Sequence, residues 1–358
     1  MGLINYYRER GWWRRKIAVL REAWARGFDW RFLVYRAKFN CSHRLDLPGR
    51  FPAHLDIETT DACNLRCVMC VQGIGEGVTN TGMIDPAFAR RLIDEGARHG
   101  LASIKFNWRG EPALHSGLAQ LVRYAKAKGI LEVQINTNGI PYTESKIREL
   151  VTSGLDRVIF SMDGATKETY EKIRVGSDYD TLIANVKRFH AIRTALGRQR
   201  PFIRIQMVRM KDNQHEVDQF VQMWKPFVDD IRIEDVSNRG QGAQLSVGDW
   251  VTTGRKRCPQ PWQRMVVSRD GKVLPCCADW HREFVIGDAT QESLAQIWRG
   301  RRMERMRQVQ REVRLNEMSP CSHCYVKESF VWKRVPAAQA KGPSEAEQPR
   351  EEFADVTT

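Results

Sequence analysis

Between residues 51 and 240, short runs rich in β-branched and aromatic residues alternate with longer stretches whose apolar positions recur at helical spacing. The strand candidates are HLDIETT (54–60), SIKFNW (103–108), LEVQINTN (131–138), RVIFSM (157–162), FIRIQMVRM (202–210) and DIRIEDV (230–236). The intervening stretch DPAFARRLIDEGARHG shows the helix signals: Asp85 suits an N-cap, Pro86 the first turn and Gly100 the stop. Six strands with helices between them predict repeated βαβ units and a parallel sheet, whose ligands bind at the carboxyl ends of the strands. After about residue 250 the alternation gives way to a cysteine-rich, turn-rich region running to about 334. The last stretch, AAQAKGPSEAEQPREEFADVTT, is polar and poor in large apolar residues, and it is expected to be disordered. The chain thus divides into an extension (1–50), a core (51–250), a cysteine-rich domain (251–334) and a tail (335–358).

Charge changes the picture at the N-terminus. Residues 1–50 hold twelve Lys and Arg against four Asp and Glu, a large share of the net +14 of the 358-residue chain. With Trp12, Trp13, Trp24 and Trp30 among them, the pattern predicts one or two short basic amphipathic helices. Such a face either docks on anionic lipid headgroups, an acidic protein or nucleic acid, or packs its tryptophans on the core while its arginines stay solvated. No apolar run approaches the ~18 residues of a membrane span, and arginines interrupt any secretory h-region. The expected location is the cytoplasm.

Nine cysteines in a reducing compartment suit metal or catalytic ligation better than cross-linking. Cys63, Cys67 and Cys70 follow the first strand, and Cys258, Cys276, Cys277, Cys321 and Cys324 lie in the C-terminal region. Cys41 stands apart and is expected to be structural. Three thiolates cannot close a four-ligand shell. Either one iron of a four-iron cluster is left open, or a distant residue completes a zinc site. The ends of the next three strands carry Glu111, then Asn138 with Gly139, then Asp163 with Gly164, each of which alone reads as a turn.

Together these residues carry a resemblance. Cys63, Cys67 and Cys70 match the CxxxCxxC signature of the radical S-adenosylmethionine enzymes, and WRGEP, NTNG and SMDG resemble the motifs that superfamily places around its cofactor. The resemblance spans about residues 51–240. It implies an α/β fold, a partial (β/α)6 TIM-like barrel, with a [4Fe–4S] cluster on the three cysteines and S-adenosylmethionine on its open iron. By the same similarity Gly110 lets the backbone approach, Glu111 faces the cofactor ammonium, Asn138 and Ser161 lie near the methionyl group and ribose, and Arg174 pairs with the carboxylate. Two positions depart from the pattern: Arg109 replaces the first glycine of GGEP, and Met69 replaces an aromatic residue before the third cysteine.

In the C-terminal group, Gly271 in RDGKV predicts a hairpin that brings Cys258 and Cys276 together. Taken alone, the terminal CxxC favours zinc. Beside the upstream triad, the group is similar to the small SPASM and twitch domains, in the shortened form with one auxiliary [4Fe–4S] cluster held by Cys258, Cys276, Cys321 and Cys324. The spacing resembles that of the radical dehydrogenase that oxidises an aminocyclitol alcohol in aminoglycoside biosynthesis. Cys277 is left over as a buried thiol, an alternate ligand or a proton-transfer group. The resemblance implies abstraction of a hydrogen atom from the substrate and oxidation of a sugar or cyclitol alcohol, ahead of epimerisation or peptide maturation. A non-catalytic iron–sulfur or zinc protein that docks on a membrane or nucleic acid is the alternative outside enzymes. The partners implied are a carbohydrate-like small molecule and a flavodoxin or ferredoxin, with membrane contact through residues 1–50 and no nucleic acid. No catalytic base is identified, and Asp279 and His281 are the positions to test.

Overall fold

The structure, a computed structural model, describes residues 3–6, 20, 23, 28–75, 81–236, 252–255, 257–324 and 328–330. The expected disordered tail, and Trp12, Trp13 and Trp24, lie outside the described residues. The strands in chain order are β1 (Leu3–Tyr6), β2 (His54–Ile57), β3 (Arg66–Cys67), β4 (Ser103–Lys105), β5 (Glu132–Thr137), β6 (Arg157–Ser161) and β7 (Arg174–Val175). They continue with β8 (Phe202–Arg209), β9 (Asp230–Asp235), β10 (Thr252–Arg255), β11 (Arg264–Val267), β12 (Lys272–Leu274), β13 (Gly287–Asp288) and β14 (Glu328–Phe330).

The six anticipated strands are β2, β4, β5, β6, β8 and β9. They stand side by side in sequence order, all parallel. Each crossover carries helix, from Pro86–Arg98 between β2 and β4 to Val217–Trp224 between β8 and β9. This is the wall of a partial (β/α)6 barrel. The first helix forms as its residues dictate. Asp85 accepts from the Phe88 amide at 2.8 Å, and Ala89, Leu92, Ile93 and Gly96 bury one stripe.

Two parts of the sheet were not visible in the sequence. Leu3–Tyr6, expected within a helical extension, is a strand parallel to β9. The C-terminal region also joins the sheet: β11 runs parallel to β2, and β12 returns antiparallel through a turn at Gly271, whose φ is +89°. The expected hairpin therefore exists, and it extends the barrel wall. Met265, Val267, Val273, Ile297 and Trp298 belong to the same apolar core as Leu55, Ile104 and Val133.

Side chains alternate across a strand. Along β8, Ile203, Ile205 and Met207 are buried, while Arg204, Gln206 and Val208 between them are only half-buried. The register carries this second face across the sheet as Asp56–Lys105–Gln134 and, further on, Ser161–Gln206–Arg232. At its lower end the charges are paired. Asp56 accepts ion pairs from Lys105 (2.9 Å) and Arg264 (3.1 Å), Arg204 meets Asp230 at 2.5 Å, and His54 Nδ1 lies 2.9 Å from Ser103 Oγ.

Burial alone would raise the Asp56 carboxyl, but the Lys105 and Arg264 charges and His54 outweigh it and hold it below the usual carboxylate range. A depressed folded value stabilises above the unfolded value of about 3.9, and that contribution fades as pH falls toward the folded one. The gap in urea midpoint between the native chain and Asp56→Asn should therefore stay constant from pH 7 to about 4 and narrow below it. A gap that widens on acidification would contradict the pairing.

Beneath the amino ends of the strands lies helix Trp30–Cys41, capped by Asp29. Phe32 and Tyr35 are buried against Ala53, Ala102 and Leu131, which precede β2, β4 and β5. Of the tryptophans expected to pack on the core, Trp30 is the one among the described residues, and it is 65% exposed, while Phe32 and Tyr35 are buried there. Cys41, expected to be structural, is exposed.

Candidate functional site

The loop after β2 carries Cys63, Cys67 and Cys70. Its short strand β3 pairs antiparallel with β7 and sets Cys67 opposite Arg174. The turn closes through Cys70 N to Cys67 O (3.0 Å) and Gly73 N to Cys70 O (2.8 Å). Only glycine fits at 73, since a Cβ there would lie 2.0 Å from the Cys67 carbonyl oxygen. Burial raises all three thiols, Cys67 up to about 12, although the neighbouring Arg174 offsets part of the effect there. Such thiols bind through a metal that takes the place of their protons.

The residues singled out at the next strand ends converge on this loop. Glu111 is buried, and its carboxylate accepts from Thr137 Oγ1 (2.6 Å), the Asn138 amide (2.7 Å) and the Ala113 amide (3.0 Å). Burial raises its pKa despite these donors. A carboxylate has about four acceptor sites, so one remains for a further donor. Gly110 allows this approach, because a Cβ would meet the Thr60 and Ala62 carbonyl oxygens at 2.3 and 2.5 Å. Asn138 spends its side chain locally: it donates to Asn64 Oδ1 (2.8 Å) and accepts from the Ile140 amide (3.0 Å). Ser161 ends β6 half-buried, in register with Gln206.

Arg174 pairs with Asp163 at 2.7 Å, and its Nη1 lies 3.8 Å from Cys67 Sγ. Burial opposes its charge, but Asp163 and the Cys67 sulfur keep the guanidinium ionised. One branch of the fork is thus already used, while Arg174 Nε is buried with no hydrogen-bond partner, as is Asn136 Oδ1. Three thiols, a spare acceptor on Glu111 and an orphaned guanidinium nitrogen fit an iron–sulfur cluster carrying an amino-acid ligand. Asn64 escaped the sequence reading, although it stands between two cysteines, which is a signal. Asp163 is among the strand-end residues read there, but its pairing with Arg174 is not visible in the sequence.

Arg109 turns away from the cysteines. It grips Glu58 with two bonds, 2.8 and 3.1 Å, and stacks 4.4 Å over Trp108. Arg269, from the β11–β12 turn, joins the network through Asp61 at 2.6 Å and donates its amide to Glu58 at 3.1 Å. The departure from GGEP therefore ties the barrel to the C-terminal hairpin.

In the C-terminal region Cys258, Cys276, Cys321 and Cys324 line one cavity with Met306 and Gln310. Gln310, absent from the sequence reading, is buried and bridges the cavity. Its Oε1 accepts from the Cys258 amide (2.7 Å) and its Nε2 donates to Cys321 Sγ (3.2 Å). Burial, with Cys277 and Cys258 close by, raises the Cys276 thiol well above the ordinary thiol range. Cys277 sits with the apolar cluster of Trp108, Val266 and Leu274, and its carbonyl accepts from Trp108 Nε1 at 3.1 Å. Among the described residues no three His, Cys, Asp or Glu stand as a site for a single metal ion.

The two positions offered as bases divide. Asp279 is buried, and its carboxylate accepts from the Glu283 (2.8 Å) and Phe284 (2.9 Å) amides, which fixes the loop after the two cysteines. His281 is exposed.

Comparison with known proteins agrees with this geometry. The Radical SAM superfamily model matches residues 57–197, and the SPASM iron–sulfur cluster-binding domain matches residues 258–325. GTP 3',8-cyclase of Clostridium botulinum is 28% identical over 216 residues, covering 58% of this chain and 64% of the relative. The chain spans less than two thirds of the length of the cyclases it matches. A tungsten-containing aldehyde ferredoxin oxidoreductase cofactor-modifying protein of Pyrococcus furiosus is 24% identical over 315 residues, 75% of this chain and 87% of the relative. Among solved structures, BtrN in complex with AdoMet and 2-DOIA aligns with a TM-score of 0.54 at 19% identity, over 77% of this chain and 93% of that one. SuiB of Streptococcus suis, bound to its precursor peptide SuiA, aligns at 0.59 and 16% identity, over 74% and 70%. Residues 57–197 thus form a radical SAM superfamily domain, which implies S-adenosylmethionine and a [4Fe–4S] cluster, and residues 258–325 form a SPASM iron–sulfur cluster-binding domain.

Proposed function

We propose that the chain is a cytoplasmic radical oxidoreductase that dehydrogenates an alcohol of a sugar or cyclitol. The observation that carries this is the C-terminal cavity: its lining holds four cysteines, enough to fill the shell of a four-iron cluster and leave no open position for substrate. When bound, the cofactors supply a hydrogen-atom acceptor at the barrel mouth and an acceptor for the second electron in the SPASM domain. Cys63, Cys67 and Cys70 would hold the first cluster, and Cys258, Cys276, Cys321 and Cys324 the second. Glu111, through its spare acceptor site, would orient the cofactor amine, and Arg174 Nε its carboxylate. Gly110, Asn138 and Ser161 shape the rest of that cradle.

The inner barrel face suits a neutral polyol. Gln134, Asn136, Ser161 and Gln206 offer donors and acceptors there, while the charges beside them compensate one another. Oxidation removes two hydrogens from the substrate carbinol: one leaves as an atom, and the other as a proton with one electron passed on. A flavodoxin or ferredoxin would supply the priming electron. Anaerobic incubation with a reductant and candidate cyclitols should yield 5'-deoxyadenosine and a product two mass units lighter. A product of unchanged mass in H2O that carries one solvent deuterium at carbon in D2O would make it an epimerase, and activity confined to a peptide a maturase.

Two further outcomes separate these readings. Cys277→Ala should leave turnover within about threefold, because that thiol packs beside Trp108, Val266 and Leu274 and gives up a 3.6 Å contact from Gln260 Nε2. An epimerase that relied on it as hydrogen donor would lose product completely. Gln310→Leu should lower the potential of the SPASM-domain centre in an EPR-monitored titration, since a hydrogen bond to Cys321 sulfur is removed. The signal of the first centre should not move.

A further inference from the structure

Helix Trp30–Cys41 has two apolar faces, and the barrel covers only one. Phe32 and Tyr35 face the core. On the opposite side Trp30, Val34, Ala37 and Cys41, spaced by four, three and four residues, are all exposed. The row continues beyond the helix with Leu45 and Leu47, 64% and 63% exposed, and begins before it with Phe28 at 56%. Single exposed apolar residues are ordinary; five large ones along one 20-residue segment mark a contact surface.

The charges around the row have one sign. Lys38, Arg44 and Arg50 are exposed beside it. The acidic residues of the segment are engaged elsewhere: Asp29 with Arg31, and Asp46 with Arg257, Arg311 and Trp262. The surface also sits under the amino ends of the strands, whereas the cysteine loop follows the carboxyl end of β2.

We propose that this face docks the protein on an anionic lipid bilayer, with Trp30, Val34, Leu45 and Leu47 entering the headgroup region and the cations meeting lipid phosphates and carboxylates. The placement decides against the other occupants. A protein that primes the first cluster with an electron must approach the cysteine loop, which follows the carboxyl end of β2. A second copy would bring two surfaces of like charge together. Nucleic acid has stacking platforms and phosphate contacts to offer, but nothing for a row of aliphatic side chains. A basic border around aromatic and aliphatic anchors is what the interface of an anionic membrane selects. Docked this way, the barrel mouth faces the aqueous phase and remains open to substrate.

Full-length protein with its clusters loaded is sedimented with vesicles of phosphatidylcholine, with and without phosphatidylserine. It should pellet with the anionic vesicles alone and be released as salt rises. Leu45→Ser with Leu47→Ser should weaken partitioning about tenfold or more, and Lys38→Glu with Arg44→Glu should abolish it. Both variants should keep native circular dichroism and 5'-deoxyadenosine formation. Equal pelleting with neutral vesicles, no pelleting, or undiminished pelleting of either variant overturns the proposal. So does a dimer in light scattering that the serine variant dissociates, which would assign the face to a second copy.

Discussion

Cys67→Ala should reduce 5'-deoxyadenosine formation under anaerobic reduction to the level of the no-enzyme control, and remove the iron of one cluster while sparing the other. Of the three cysteines after β2, Cys67 is the most buried and the only one within a strand, held opposite Arg174. With two thiols left, no rearrangement of so short a turn recruits a replacement. Gly73 packs against the Cys67 carbonyl, and Cys70 closes on the same atom. Cys67→Ser keeps the size and a weak ligand, so it separates lost ligation from lost packing. Iron analysis, circular dichroism and product chromatography together check the outcome. A folded Cys67→Ala protein that still cleaves S-adenosylmethionine would remove these three cysteines from the reaction.

Glu58→Ala should lower stability by about 3–5 kcal/mol, because it removes both close hydrogen bonds of a buried cation and leaves Arg109 only Asp61, at 3.9 Å. Arg109 is 5% exposed and Glu58 is fully buried, so no water replaces the lost carboxylate. Arg269 loses its amide acceptor at the same time. The denaturant midpoint measures the loss. Replacing both partners with apolar residues, as in Glu58→Leu with Arg109→Met, should recover much of it, since the cost lies in the unpaired charge. A double variant as unstable as Glu58→Ala would mean that the ion pair is not the source.

The parallel wall was legible because its strands are apolar runs of the right length, broken by capped helices: Asp85, Pro86 and Gly100 punctuate one of them where expected. Glu111, Asn138 and the cysteines were legible through their spacing after strands. What stayed hidden depends on partners distant in sequence. Gln310 lies 52 residues from the Cys258 amide it accepts from, and nothing in its helix distinguishes it from its neighbours Gln308 and Arg311. Arg109 read as an intrusion near the cofactor because Glu58 and Arg269, which draw it aside, belong to other strands and turns. Asp279 is a position to test because it follows two cysteines, but its burial and its two amide donors are tertiary facts. Leu3–Tyr6 lies in a basic segment with helical periodicity further on, so only pairing with β9 makes it a strand.

The pairing of β11 with β2 makes the SPASM region inseparable from the barrel. A protein shortened before residue 257 would leave the strand that leads into the cysteine loop without a neighbour on one side, a row of bare amides and carbonyls inviting aggregation. The two cysteine-bearing regions therefore form one folding unit, and neither can be traded between relatives as a cassette.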